Sequence, residues 1–186
     1  MITLYIYTTD LVKDVELEAN LDSHCNKYTH TVTRNLSRYA YYLLSKKLLQ
    51  SGYDPSLITF DSKGKGIHPE ISFSLSHSKD YIVLAISEAS VGVDVEEIVI
   101  DEKLNLASKI LTDEEYEIFS RKLDKNGFLT EKWTLKEAYG KYLGIGLTNS
   151  VLMTTVEGYS LNVKGAVVSV YPKMPLKMYY NEREIS

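Results

Sequence analysis

Two long helical patterns, each set between stretches of alternating apolar residues, predict an α+β fold. The order strand, helix, strand occurs twice along the 186 residues, and its second round begins near residue 90. These observations lead us to expect two similar α+β halves, residues 1–90 and 91–186, built as one compact unit, a size that can enclose a core.

The elements follow in order. ITLYIYT (residues 2–8) alternates Ile2, Leu4 and Ile6 against Thr3, Tyr5 and Tyr7, the two-residue period of a strand. Residues 30–50 place Leu36, Tyr39, Ala40, Leu43, Leu44 and Leu48 at helical spacing, and Gly52 offers a stop. LITF and ISFSL read as short strands flanking the turn DSKGKG (61–66), and YIVLAIS (81–87) and VGVDVE (91–96) read as a hairpin across EAS. Thr112 and Glu115 have the spacing of a capping box, so LTDEEYEIFSRKL opens a helix. GFLTEKWTLKEAYGKYLGIGL (127–147) continues as a helix until the glycines of GIG. YSLNV, AVVSVY and LKMYY are strand-like, and a polar tail ends the chain.

Composition removes several classes of function. At 44% hydrophobic and 25% charged the chain is ordinary globular protein, and its net charge of −4 carries no basic footprint for nucleic acid. A single cysteine, Cys25, rules out a disulfide framework and a Cys-built zinc site; a partly buried thiol is expected. No apolar run approaches the roughly 18–20 residues that cross a bilayer. We expect a cytoplasmic monomer that binds neither nucleic acid nor membrane.

Three stretches carry chemistry. In VGVDVE, Asp94 and Glu96 share one strand face at roughly 6.6 Å between Cα atoms. They are either a solvated sheet face or a site for a hard cation, because Mg²⁺ takes one or two carboxylates and leaves room for waters and phosphates. In EKWTLKEAYGKYLG, Trp133, Glu137 and Lys141 recur at i, i+4 and i+8 along one helix face, with Lys136 on the adjoining flank. That stripe is either a core tryptophan beside a surface ion pair or the border of a binding site. In SFSLSHSKD, His77 sits at a strand end among Ser74, Ser76 and Ser78, as a surface residue or as a contact for a phosphate or ribose. No G-x-S-x-G elbow accompanies it, and GKG (64–66) lacks the frame of a P-loop while keeping a lysine able to reach a phosphate.

Together the three stretches resemble the 4′-phosphopantetheinyl transferase superfamily, in its surfactin-synthetase-activating branch. FSLSHS at 73–78 matches the family's histidine motif, and VGVDVE at 91–96 its acidic strand. WTLKEAYGK at 133–141, followed by GIGL at 144–147, matches its tryptophan–lysine–glutamate helix. The three stand in the family's order. The resemblance implies a pseudo-twofold pair of α+β halves with coenzyme A in the cleft between them. By motif position it implies Asp94, Glu96 and Glu137 as Mg²⁺ ligands, Glu137 and Lys141 as catalytic groups, and Lys141, His77 and Lys65 as coenzyme A contacts; the family's basic residues on the first long helix add Arg38 as a candidate contact. Arg34 is a second candidate on the first long helix. Where the family often has G-K-P, this chain has Gly64-Lys65-Gly66, from which a looser loop is expected.

The implied reaction moves phosphopantetheine from coenzyme A to a serine of an acyl or peptidyl carrier protein and releases adenosine 3′,5′-bisphosphate. A carrier-docking patch is expected around Leu104, Leu106, Ile110 and Leu111, which core packing would explain equally well. Two alternatives stay open on the residues alone. One is a non-catalytic module binding coenzyme A or a carrier, and the other an unrelated Mg²⁺-dependent phosphohydrolase.

Overall fold

The computed structural model describes residues 1–185. Strands are β1 (Ile2–Thr8), β2 (Thr59–Phe60), β3 (Gly66–Ile67), β4 (Ser72–His77), β5 (Tyr81–Ser87), β6 (Gly92–Glu97), β7 (Tyr159–Val163), β8 (Ala166–Tyr171), β9 (Leu176–Tyr180) and β10 (Arg183–Ile185). Helices are α1 (Ala19–Cys25), α2 (Thr31–Gln50), α3 (Ala107–Ile110), α4 (Asp113–Arg121), α5 (Lys125–Leu143) and α6 (Asn149–Leu152). The chain is α+β and divides into two compact units, Met1–Ser90 with the chain from Pro175 onward, and Val91–Met174.

The first unit is a five-stranded sheet in the order β10-β9-β1-β5-β4, with α2 as its long helix. β5 is buried at all seven positions, and both of its edges are paired, antiparallel to β1 and to β4. The stripe expected on α2 is its buried face. Leu36, Tyr39, Ala40 and Leu43 pack with Ile82 and Leu84, while Leu44 and Leu48 join Leu21, Cys25, Ile58 and Phe73. Leu44 and Leu48 are fully enclosed, and each such side chain stabilises by about 1.5–3 kcal/mol. After α2, Gly52 takes φ 86, a left-handed conformation that glycine adopts without strain.

The second unit holds a three-stranded sheet, β6-β8-β7, with α5 as its long helix. Its strand order repeats that of β1-β5-β4. In each unit a strand and a long helix lead into a hairpin whose second strand lies in the middle of the three. α4 starts at the expected capping box, in which Thr112 Oγ1 accepts from Glu115 N at 3.2 Å and Glu115 Oε2 from Thr112 N at 3.0 Å. α5 is capped by Asp124, whose carboxylate accepts from Gly127 N at 2.8 Å, and stops at Gly144 with φ 68.

Four expectations are corrected. β5 and β6 form no hairpin, because β5 has both edges taken in the first sheet and β6 pairs with β8 in the second. The final residues do not close the second half. β9 runs parallel to β1 with Ile2 opposite Leu176, and the expected polar tail forms β10 against β9. That hairpin turns at Asn181 and Glu182, both with positive φ, rather than at the Asn-Gly that would announce it. Asn181 Oδ1 accepts from Thr8 N at 3.1 Å, while Glu182 takes Tyr7 Oη–H at 3.0 Å and an ion pair with buried Lys47. Cys25 is fully rather than partly buried, on the helix α1 that no periodicity marked.

Candidate active site

The second unit brings Asp94, Glu96, Glu137 and Lys141 into one electrostatic group, and backbone packing explains how. Gly92, Asp94 and Glu96 occupy one face of β6, and Ser169 stands opposite Asp94 in register on β8. Ser169 Oγ lies 2.6 Å from Thr134 Oγ1 of α5 and 2.9 Å from Ser160 Oγ, so this face of the sheet looks at the helix. The helix comes very close at Gly92, where a Cβ would sit 1.9 Å from the carbonyl oxygen of Ala138 and 2.8 Å from Tyr142 N. No side chain fits there. A second contact without side chains, Gly140 against the Gly146 carbonyl, folds the GIG turn onto the same helix.

With backbones this near, the carboxylates of β6 meet α5 directly. Lys141 Nζ donates to Asp94 Oδ1 at 2.8 Å and to the Val93 carbonyl at 3.1 Å, and Asp94 is buried. Burial first, then the charges of Asp94, Glu97 and Glu137, push the Glu96 carboxyl up to about 7. Glu137 is raised as well, by burial and then by Asp94, with Lys141 pulling the other way. These are carboxylates that gain from a cation. Among the described residues no three His, Cys, Asp or Glu side chains form a ready metal cage. The donors nevertheless suit a hard ion that binds one or two protein carboxylates and completes its shell elsewhere.

Sequence reasoning did not single out Glu97, which adds to the repulsion on Glu96, although it adjoins the motif. It also left Lys136 on a flank, whereas the side chain is fully buried and its Nζ donates to Glu115 Oε2 at 2.6 Å and to the Ile110 carbonyl at 2.8 Å. Trp133 packs against Ala107, Ile110, Leu111, Phe119 and Leu129, which agrees with the core alternative for that residue.

His77, Lys65 and Arg38 lie in the first unit. His77 is the last residue of β4, paired with Ile82 and half-buried. The loop bearing Lys65 is closed by Asp61, whose carboxylate accepts from Lys63 N at 2.9 Å and Lys65 N at 2.8 Å. A Cβ on Gly66 would come within 2.7 Å of the Phe73 ring. The Asp61 hydrogen bonds close the loop, and Gly66 leaves no room for a side chain beside the Phe73 ring. Burial lowers the Lys65 ammonium pKa. Arg38 pairs with Asp22 and donates to the Val15 carbonyl at 2.8 Å, beside an open hollow of about 680 Å³ that Asp14, Glu16 and Asp22 also line.

Of the four apolar residues expected to dock a partner, Ile110 and Leu111 are buried, Leu104 is partly buried and Leu106 is exposed. Beside Leu106, Ile98 and Ile100 are also exposed, around a hollow of about 350 Å³ that Glu96 and Trp133 also line.

Residues 90–181, which include the whole of this acidic junction, match the family model described as the 4′-phosphopantetheinyl transferase superfamily. Over that segment the chain is similar to that superfamily. Among curated relatives of this chain is 4′-phosphopantetheinyl transferase psf-1 of Bacillus pumilus, 34% identical over 99 residues, covering 49% of this chain and 42% of the relative. The 4′-phosphopantetheinyl transferase gsp of Aneurinibacillus migulanus is 34% identical over 80 residues, 42% of this chain and 33% of the relative. A 4′-phosphopantetheinyl transferase of Bacillus subtilis is 27% identical over 104 residues, 52% and 46% of the two chains. This chain thus spans less than half the length of the curated relatives it matches.

Proposed function

We propose that the protein transfers 4′-phosphopantetheine from coenzyme A to a serine hydroxyl of an acyl or peptidyl carrier protein and releases adenosine 3′,5′-bisphosphate. The observation that carries this reading is the convergence of Asp94, Glu96, Glu137 and Lys141 on one helix–sheet junction inside the family-matched segment. Asp94, Glu96 and Glu137 would hold Mg²⁺, which when bound supplies positive charge to the pyrophosphate.

The chain's own groups do the rest. The serine oxygen bonds to the phosphorus that carries pantetheine, and the bond from that phosphorus to the departing bisphosphate breaks. Glu137 has two carboxylate oxygens, so it can serve the ion with one and take the serine proton with the other. Lys141 leaves Asp94 and meets the charge that grows on the leaving oxygen. His77, Lys65 and Arg38 bind the coenzyme A nucleotide, with Arg38 exchanging Asp22 for a phosphate. The carrier docks on the hollow rimmed by Ile98, Ile100 and Leu106, beside Glu96.

The strand order common to the two units supports reading them as a pseudo-twofold pair. No helix among the described residues is long and apolar enough to cross a membrane; a cytoplasmic location is part of the proposal. The test is to mix the protein with coenzyme A, Mg²⁺ and an apo carrier and weigh the carrier by mass spectrometry. A gain of one phosphopantetheine is expected. Coenzyme A cleavage without carrier modification would make the protein a phosphohydrolase, and binding without either product a non-catalytic module.

A further inference from the structure

Lys136 precedes Glu137 on α5, yet it points to the opposite side of the helix from the sheet. At 100° per residue it lies about 160° from both Thr134 and Ala138, the residues that meet β8 and β6, and Glu137 falls on the edge between the two sides. Its ammonium has three protons and three acceptors: Glu115 Oε2, the Ile110 carbonyl and the Leu152 carbonyl. Ile110 is the last residue of α3 and Leu152 the last of α6, so two of the acceptors are carbonyls that a helix end leaves without an internal partner. The third is fixed in turn, because Glu115 Oε2 also closes the capping box of α4. One buried cation therefore joins four helices.

Such a pair is a poor stabiliser, since two charges lose their water and apolar residues of like volume commonly do as well. Glu115 Oε1 has no partner among the described residues, so even the desolvated acid is incompletely compensated. What the arrangement supplies is direction. We infer that Lys136 and Glu115 are positioning residues that fix the rotation of α5 about its own axis, and so hold Glu137 and Lys141 toward Asp94 and Glu96. Gly92 sets how near the helix lies to the sheet, and the Lys136–Glu115 pair sets which way it is turned.

The inference rests on the transferase reading for its catalytic consequence, and the experiment separates the two. Lys136→Met alone strands a buried carboxylate and is expected to unfold the unit, which cannot distinguish support from positioning. The double variant Lys136→Met/Glu115→Leu removes both charges together and is expected to stay folded but melt lower, because the Ile110 and Leu152 carbonyls and Thr112 N lose their partners. In that variant kcat should fall about 100-fold, as expected for misplaced groups, with the KM for coenzyme A changed less than about threefold. Amide exchange of residues 137–141 should quicken about tenfold at matched global stability. A double variant with wild-type kcat and wild-type exchange over 137–141 overturns the inference. If the wild-type protein transfers nothing, the functional reading fails on its own, and exchange at 137–141 alone decides whether the pair positions the helix.

Discussion

The two units share a strand order, but their long helices meet their sheets in different ways. α2 rests on its sheet through large apolar side chains, among them Leu36, Tyr39 and Leu43 against Ile82 and Leu84. α5 comes down on Gly92 with almost no side chain between, and meets its sheet through Thr134, Ser169 and Ala138. The first arrangement buries apolar area and fills the layer between helix and sheet. The second gives up that layer, so that charged groups on β6 and α5 come within reach of one another. One topology thus serves as a support in one place and holds a close group of charges in another, and what changes is the thickness of the helix–sheet layer.

The largest expected effect breaks the second arrangement chemically. Asp94→Ala should lower carrier modification by at least ~100-fold, read by mass spectrometry, with the thermal midpoint within about 4 °C of wild type. Full activity at ordinary Mg²⁺ would remove Asp94 from the site.

Close behind comes a direct test of the thin layer. Gly92→Ala must push α5 away from β6, because its Cβ has backbone rather than a flexible side chain in front of it. A loss of about 1–3 kcal/mol in denaturant unfolding is expected together with lost transfer. Leu44→Ala in the first unit should cost a similar or larger ~2–5 kcal/mol and leave turnover per folded molecule unchanged. If both variants lower turnover alike, the contrast between the units has no catalytic meaning.

Lys141→Ala should cost about 100-fold in kcat per folded molecule, alongside a loss of stability because it takes the lysine from buried Asp94. A wild-type rate would exclude Lys141 from the reaction.

The smallest effect concerns the metal-free protein. Glu96 is pushed up to about 7 in the fold from an ordinary value of 4.5. Between those values the folded state holds the extra proton, so stability falls as pH rises through that window, and the full penalty is present above it. Glu96→Gln should flatten that slope and raise stability at pH 8 by about 1 kcal/mol, a figure already reduced for the screening of a half-exposed group. An unchanged slope in urea melts at pH 5 and pH 8 would show that Glu96 is not under electrostatic pressure.

By itself the sequence determined the elements whose signals are local. The alternation of β1, the stripe from Leu36 to Leu48, the Thr112–Glu115 capping box and the stop at Gly144 are each written in a few neighbouring residues, because backbone hydrogen bonding and side-chain period act over one or two turns. The motifs also marked Asp94, Glu96, Glu137 and Lys141. Only the tertiary structure decided that β6 leaves β5 for another sheet, that β9 returns to β1, and that Lys136 is an internal anchor rather than a flanking charge. Strand partners and the burial of a charge depend on groups far apart in the chain: Ile2 meets Leu176, and Lys136 meets Leu152 and Ile110. No local period encodes such meetings, because their free energy exists only once the intervening chain has folded.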